Sequence, residues 1–301
     1  MTSALLSSGI QLEYDTFGSP EDPALLLVMG LGAQMTTWET GWCELLASHG
    51  RYVVRFDNRD VGLSTQIDGK MDVGALMLAA ITGGELPDVP YTLSDMAADA
   101  IGLLDHLGIG RAHVVGVSMG GMITQTMAIE NPERLISATS IMSSVGDQAY
   151  GQPAPEAMGV LLAPPVFTRA EIVDRSANFA VVASKRYFDP VAARQRAGDA
   201  FDRSFTPDGF GRQIAAIFAS GDRSAALANV HVPMLVIHGL DDKLITPSGG
   251  RRTAALVPGA HLLELADMGH DLPPQQWPLV VSAIIGHTEA ASNELAAMVM
   301  S

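Results

Sequence analysis

Residues 116–120 read GVSMG, directly after the short apolar run AHVVGV and directly before a helical pattern. A serine with glycine two places to either side, between a buried strand and a helix, fits a tight turn that exposes a nucleophilic hydroxyl. The glycines let neighbouring segments approach, and the helix N-terminus favours developing negative charge. Ser118 is therefore the candidate nucleophile.

A serine hydroxyl is weak at neutral pH and needs a base within hydrogen-bond reach, itself oriented by an acid. On a sheet of this kind the chain order is serine, acid, histidine. Of the eight histidines, His49, His106, His113 and His231 precede any plausible acid or lie in helix and strand-entry contexts. His238 lies at a strand end, His261 begins the next strand and His287 falls in a late helix. His270, in ELADMGHDLP, sits in a loop just after a predicted strand and is the candidate base.

The acid is sought in HGLDDKLITP, residues 238–247, where Asp241 and Asp242 stand side by side after a buried run. Neighbouring side chains in an extended loop diverge, so only one of the two faces the imidazole. Asp147, after the preceding strand, is a further candidate. Attack on a carbonyl also needs two N–H donors for the oxyanion. One is expected from Met119, the residue after the nucleophile, and the other from Leu31 in the glycine-rich loop VMGLG.

Other chemistries fit poorly. No H-x-x-x-H or C-x-x-C spacing suggests zinc, and DDKLITPSGGR lacks the alternating oxygen ligands of a calcium loop. GVSMGG and GLGAQM both miss the dinucleotide fingerprint. No metal or cofactor is expected.

These residues need a scaffold. IQLEYDTF alternates as a half-exposed strand does, whereas ALLLVM, RYVVRF, AHVVGV, PMLVIH and AHLLEL are mostly apolar runs between turns and read as strands buried on both faces; LISATSIM is also strand-like. Helical patterns lie between them. TLSDMAADAIGLLDHLG gathers Met96, Ala97, Ala100, Ile101, Leu104 and Leu107 on one face and stops at Gly108. Strand–helix alternation predicts an α/β fold with a mostly parallel sheet flanked by helices.

The rhythm breaks between Met142 and Met234, too long a connection to lack structure of its own. Thr168 and Glu171 have capping-box spacing, and DGFGRQIAAIFAS has helical periodicity. Residues 146–228 are read as a helical cap inserted into a host of residues 1–145 and 229–301. Composition agrees: residues 146–228 hold nine of the 18 Lys and Arg against nine acids, while the rest is strongly acidic. Salt-paired surface helices explain this better than an anion-binding surface. The tail EAASNELAAMVMS fits either a last helix or a frayed end.

A chain of 301 residues, 48% apolar, has ample material for one large core. Its net charge of −15 opposes binding to nucleic acid or to anionic membrane surfaces. No apolar run approaches the ~20 residues of a membrane span. A single cysteine, Cys43, excludes an internal disulfide, and the first ten residues do not read as a signal peptide, so a cytoplasmic protein is expected.

Taken together, LLLVMGLG, FDNRDVGLS, HVVGVSMGGM, LVIHGLDDKLITP and MGHDLP resemble the α/β-hydrolase superfamily, and within it esterases of the aclacinomycin methylesterase type. The likeness covers residues 10–145 and 229–288. It implies Ser118 as nucleophile, His270 as base, and the third residue after the glycine, Asp242, as the acid, leaving Asp241 as a surface charge. It also implies that Asp57 and Arg59 are structural members of their loop. Met29 stands where many members have histidine, and QIDGKMDVGALMLAAITGGELPDVPY is longer than such an esterase needs and reads as an extra lid. The expected activity is hydrolysis of small to medium carboxylic esters through an acyl-enzyme. A C–C bond hydrolase or cofactor-free perhydrolase would use the same residues, and a low-turnover ligand-binding protein would keep them without cycling.

Overall fold

The computed structural model describes residues 2–300 apart from 83, 162 and 164. Its elements run β1 (Thr2–Leu5), β2 (Gln11–Phe17), β3 (Ala24–Val28), α1 (Thr40–Ser48), β4 (Tyr52–Phe56), α2 (Val73–Thr82), α3 (Leu93–His106), β5 (Ala112–Val117), α4 (Met119–Glu130) and β6 (Leu135–Ile141). Then come the helices α5 (Pro155–Leu161), α6 (Arg169–Arg175), α7 (Pro190–Arg203), α8 (Pro207–Ser220) and α9 (Ser224–Leu227). The chain returns to the sheet with β7 (Met234–Gly239), α10 (Ser248–Leu256), β8 (His261–Leu265) and α11 (Trp277–Met300).

The eight strands form one sheet in the order β1-β2-β4-β3-β5-β6-β7-β8. β1 pairs antiparallel with β2 and β2 with β4, and every later pair is parallel. Alternate residues of the inner strands feed two cores. Leu26, Val28, Val54 and Val114 pack with Met96, Leu103, Ile123 and Met127 of α3 and α4. Leu25, Leu27, Val53 and Val115 pack with Trp42 and Leu46 of α1 and Val280 and Ile284 of α11. This is the period-2 geometry of strands covered on both faces.

Strand order reverses around β3, which has β4 on one side and β5 on the other. The crevice above the carboxyl ends of β3 and β5 is where open α/β sheets bind ligands. The loops at those ends hold Leu31 and Ser118.

Local chemistry explains the helix boundaries. α3 opens on Thr92, whose N–H donates to the Asp95 carboxylate at 2.7 Å, and Gly108 adopts a φ of 69° just beyond its end. α6 opens on the expected Thr168–Glu171 capping box, but its helix stops at Arg175 and gives way to 3-10 turns over Ser176–Val181. The tail up to Met300 forms the end of α11, and Ser301 lies outside the described residues.

Three features follow from the fold rather than from local pattern. β8 is not buried on both faces: it is the sheet edge, and His261 and Leu262 are exposed. α10 begins at Ser248, with Pro247 in the capping position. β1 has no signal of its own, because a four-residue edge strand is specified by its pairing with β2. The segment read as a lid contributes α2, which lies against α8; residue 83 of it is outside the described residues. No helix among the described residues is long and apolar enough to cross a membrane.

Candidate active site

Ser118 sits between β5 and α4 with φ 54° and ψ −120°. A left-handed φ strains a residue with a β-carbon, and here the surroundings enforce it. A β-carbon on Gly116 would lie 2.1 Å from the Gly120 carbonyl oxygen, and one on Gly120 would lie 2.1 Å from that of Val28. The Ser118 N–H donates to the Ile141 carbonyl at 2.9 Å, and the Ser143 hydroxyl donates to the Ser118 carbonyl at 2.8 Å. Both glycines of the motif are thus required by backbone approach.

The His270 imidazole spans the gap to the acid. Its Nε2 is 3.0 Å from Ser118 Oγ, and its Nδ1 is 2.8 Å from Asp242 Oδ2. The other carboxylate oxygen of Asp242 accepts the N–H groups of Leu244 and Ile245 at 2.9 and 3.0 Å. Burial by itself would raise the pKa of Asp242. The imidazole of His270, through its charge and its hydrogen bond, and the nearby His238 outweigh it and hold the carboxyl near 2. An acid so placed stays ionised at neutral pH and fixes the imidazole with its free nitrogen toward the serine.

His238, expected only to end a strand, is fully buried against the acid. Its Nε2 is 3.5 Å from Asp242 Oδ2 and donates to the Ile245 carbonyl at 2.8 Å. The shorter contact is the hydrogen bond, so His238 ties down the loop bearing Asp242. Asp241 is not the free surface charge expected of it. Its carboxylate pairs with Lys185 at 2.7 Å and its N–H donates to the Met268 carbonyl at 2.9 Å. Asp147 lies apart from the imidazole, accepting from Ala149 N–H and pairing with Arg252.

Met119 occupies the first position of α4, where an amide has no intrahelical acceptor. The loop bearing Leu31 lies against the same turn: a β-carbon on Gly30 would be 3.2 Å from Ser118 Cβ. Met119 and the loop that carries Leu31 therefore both adjoin the serine.

Asp57 and Arg59 brace this end of the sheet, as expected of structural members of their loop. Asp57, fully buried, accepts the N–H groups of Met35 and Leu63 and pairs with Arg203 of α7 at 2.7 Å. Arg59 makes a two-pronged pair with Asp99 of α3 at 2.6 and 2.7 Å. Sequence reading missed the residues that hold the loops from afar. Val182 accepts the His270 N–H at 2.7 Å. Ser184 donates its hydroxyl to the Asp267 carbonyl at 2.7 Å and its N–H to Asp271 at 2.9 Å. None lies in a motif, and none is near its partner in sequence.

A cavity of about 250 Å³ adjoins Gly32, lined by Ile172, Phe201, Phe205 and Phe210 among others. A larger one of about 510 Å³ opens at the starts of β7 and β8, the opposite end of the sheet from Ser118. Among the described residues no three His, Cys, Asp or Glu side chains converge as a metal would require. The Cys43 thiol is buried, and burial pushes its pKa up to about 12, which keeps it protonated and unreactive.

Sheet order, reversal point and turn geometry define an α/β hydrolase, and a model of the alpha/beta hydrolase fold matches residues 23–275. The chain belongs to that family. It is similar to rhodomycin D methylesterase DauP of Streptomyces sp. (strain C5), with 28% identity over 97% of this chain and 99% of that relative. It is 25% identical to 3-oxoadipate enol-lactonase 2 of Acinetobacter baylyi, over 93% of this chain and 95% of the other. Among solved structures, a meta-cleavage product hydrolase from Pseudomonas fluorescens IP01 shares the fold with a TM-score of 0.76 at 18% identity, covering 97% of this chain and 98% of that one.

Proposed function

We propose that this esterase-type hydrolase cleaves small to medium carboxylic esters with Ser118 as nucleophile, His270 as base and Asp242 as orienting acid. The observation that carries the reading is the unbroken hydrogen-bond chain from Ser118 Oγ through both nitrogens of His270 to Asp242. Ser118 Oγ attacks the ester carbonyl as His270 takes its proton, and the oxyanion is held by the amides of Met119 and Leu31. His270 returns the proton to the departing alcohol, leaving an acyl-enzyme. It then activates a water that releases the acid and restores Ser118.

A methylesterase and an enol-lactonase among the relatives both have names that describe cleavage of a carboxylic ester bond, open or cyclic. That favours ester over C–C cleavage on this fold. The helices between β6 and β7 act as the cap, and the aromatic cavity beside Gly32 suits an apolar part of the ester. No cofactor enters the mechanism.

The test is turnover of an ester panel varied independently in acyl length and alcohol size, with a β-diketone included. Ser118→Ala should reduce ester turnover to background. Undiminished turnover in that variant would remove Ser118 from the mechanism, and faster cleavage of the β-diketone than of every ester would reassign the reaction.

A further inference from the structure

The loop bearing Leu31 is a tight turn: Ala33 N–H donates to the Gly30 carbonyl at 3.3 Å, and Gly32 between them has a φ of 66°. A positive φ at the third residue of such a turn suits glycine. The peptide joining the two central residues can rotate between alternative turn types unless something outside the turn holds it. Here Gln213 of α8 does so. Its Oε1 accepts the Gly32 N–H at 2.8 Å, and its Nε2 donates to the Arg59 carbonyl at 2.8 Å. Gly32 N–H can only donate and the Arg59 carbonyl can only accept, so the amide has a single usable orientation.

Gln213 is fully buried, and both its partners are backbone groups of loops that follow core strands. One turn before it, Phe210 lies on the same loop: a β-carbon on Gly32 would be 2.9 Å from its ring. α8 thus commits a buried polar side chain to Gly32 and Arg59, and an aromatic ring to Gly32.

We propose that Gln213 is a positioning residue for the oxyanion loop, fixing the turn that aims the Leu31 amide, so that α8 of the helical insertion completes the catalytic site. This rests on the assignment of the Leu31 amide to the oxyanion. A misaimed donor weakens the transition state and hardly touches the ground-state ester, so the loss falls on kcat and leaves KM in place.

Four preparations test this on the full chain: wild type, Gln213→Met, Gln213→Glu, and a protein with the Leu31 amide replaced by an ester, which deletes its N–H. Rates are taken per active site titrated with a serine-directed phosphonate, alongside the affinity for a trifluoromethyl ketone that mimics the tetrahedral intermediate. Loss of the Leu31 N–H should lower kcat on the order of a hundredfold, as for other single oxyanion donors. Gln213→Met should lower kcat about tenfold with KM within about threefold, and ketone affinity should fall in parallel. Gln213→Glu keeps an acceptor for Gly32 N–H and should recover part of that loss.

A large effect of the Leu31 replacement with an unchanged kcat in Gln213→Met would overturn the role of Gln213 and leave the oxyanion assignment standing. No effect of the Leu31 replacement would overturn the assignment and the proposal with it. A change in KM alone, or a lower kcat with unaltered ketone affinity, would also overturn the proposal. Should Gln213→Met not accumulate folded, Gln213→Asn carries the test, since it keeps a polar amide at the buried position but is one methylene too short to reach both Gly32 and Arg59. It should lower kcat about threefold at constant KM, and no change would count against the proposal.

Discussion

Ser118 and His270 lie 3.0 Å apart, yet they are held in unlike ways. Ser118 is fixed by its own neighbourhood: the glycines at 116 and 120, the carbonyls of Val28 and Ile141, and the Ser143 hydroxyl. All of these belong to the sheet, the loops at its carboxyl end and the first turn of α4. The His270 loop is gripped from outside by Val182, Ser184 and Arg186, the last pairing with Asp267 at 3.1 Å. The Leu31 loop is likewise held by Gln213. A serine held at a strained φ is fixed by rigid local backbone, whereas the loops of His270 and Leu31 are held by a region without any recognisable motif.

Charge follows the same division. Basic residues of the helical block reach acids of the host, with Arg203 on Asp57, Arg212 on Asp60, Lys185 on Asp241 and Arg186 on Asp267. The uneven composition yields the expected salt-paired surface helices, with Arg169 of α6 on Asp202 of α7, and it also yields pairs across the boundary. The first two are buried, where removing one partner is costly; the last two are exposed and contribute little.

The sharpest test of the division concerns the two adjacent aspartates. Asp242→Asn should lower kcat about a thousandfold or more, while Asp241→Asn, which breaks only an ion pair with a solvent-exposed lysine, should change it no more than about threefold. Equal losses in steady-state assays would dissolve the distinction between orienting acid and bracing charge.

Next in size is Arg203→Met, which strands the buried Asp57. Urea unfolding should show a loss of about 3–5 kcal/mol, and a loss below about 1 kcal/mol would mean that the helical block does not brace the host.

Acid probes the host alone. His113 on β5 is fully buried between the hydroxyls of Ser137 and Ser292, and burial, with smaller contributions from Arg51 and His287, pushes its pKa down to about 4. The unfolded chain takes up this proton first, so its share of stability is complete above pH ~6.5 and is lost as pH falls toward 4. That share is about 3 kcal/mol. Chemical denaturation across this range should show the slope, and an identical slope in His113→Gln would assign it to another group.

The smallest effect should have the opposite sign. Gly286 lies in α11, and a β-carbon added there would meet nothing within 4 Å, unlike one on Gly120. Gly286→Ala should therefore stabilise by roughly 0.5–1 kcal/mol. A lower melting temperature would show that this helix face is packed after all.

Much of the fold was legible in the chain, because buried strands and one-faced helices are written in local periodicity. The edge position of β8 and the pairing of β1 were not, since both depend on which strands become neighbours. At the site, GVSMG carries its own steric logic within five residues, and chain order singles out one histidine and a pair of aspartates. Tertiary structure decided the rest. It put Asp242 on the imidazole and Asp241 on Lys185, placed His238 behind the acid, and brought Gln213 to Gly32 across 181 residues of chain. Such contacts leave no local pattern, because a glutamine or a serine in a helical block looks the same in sequence whether it meets water or a loop beside Ser118.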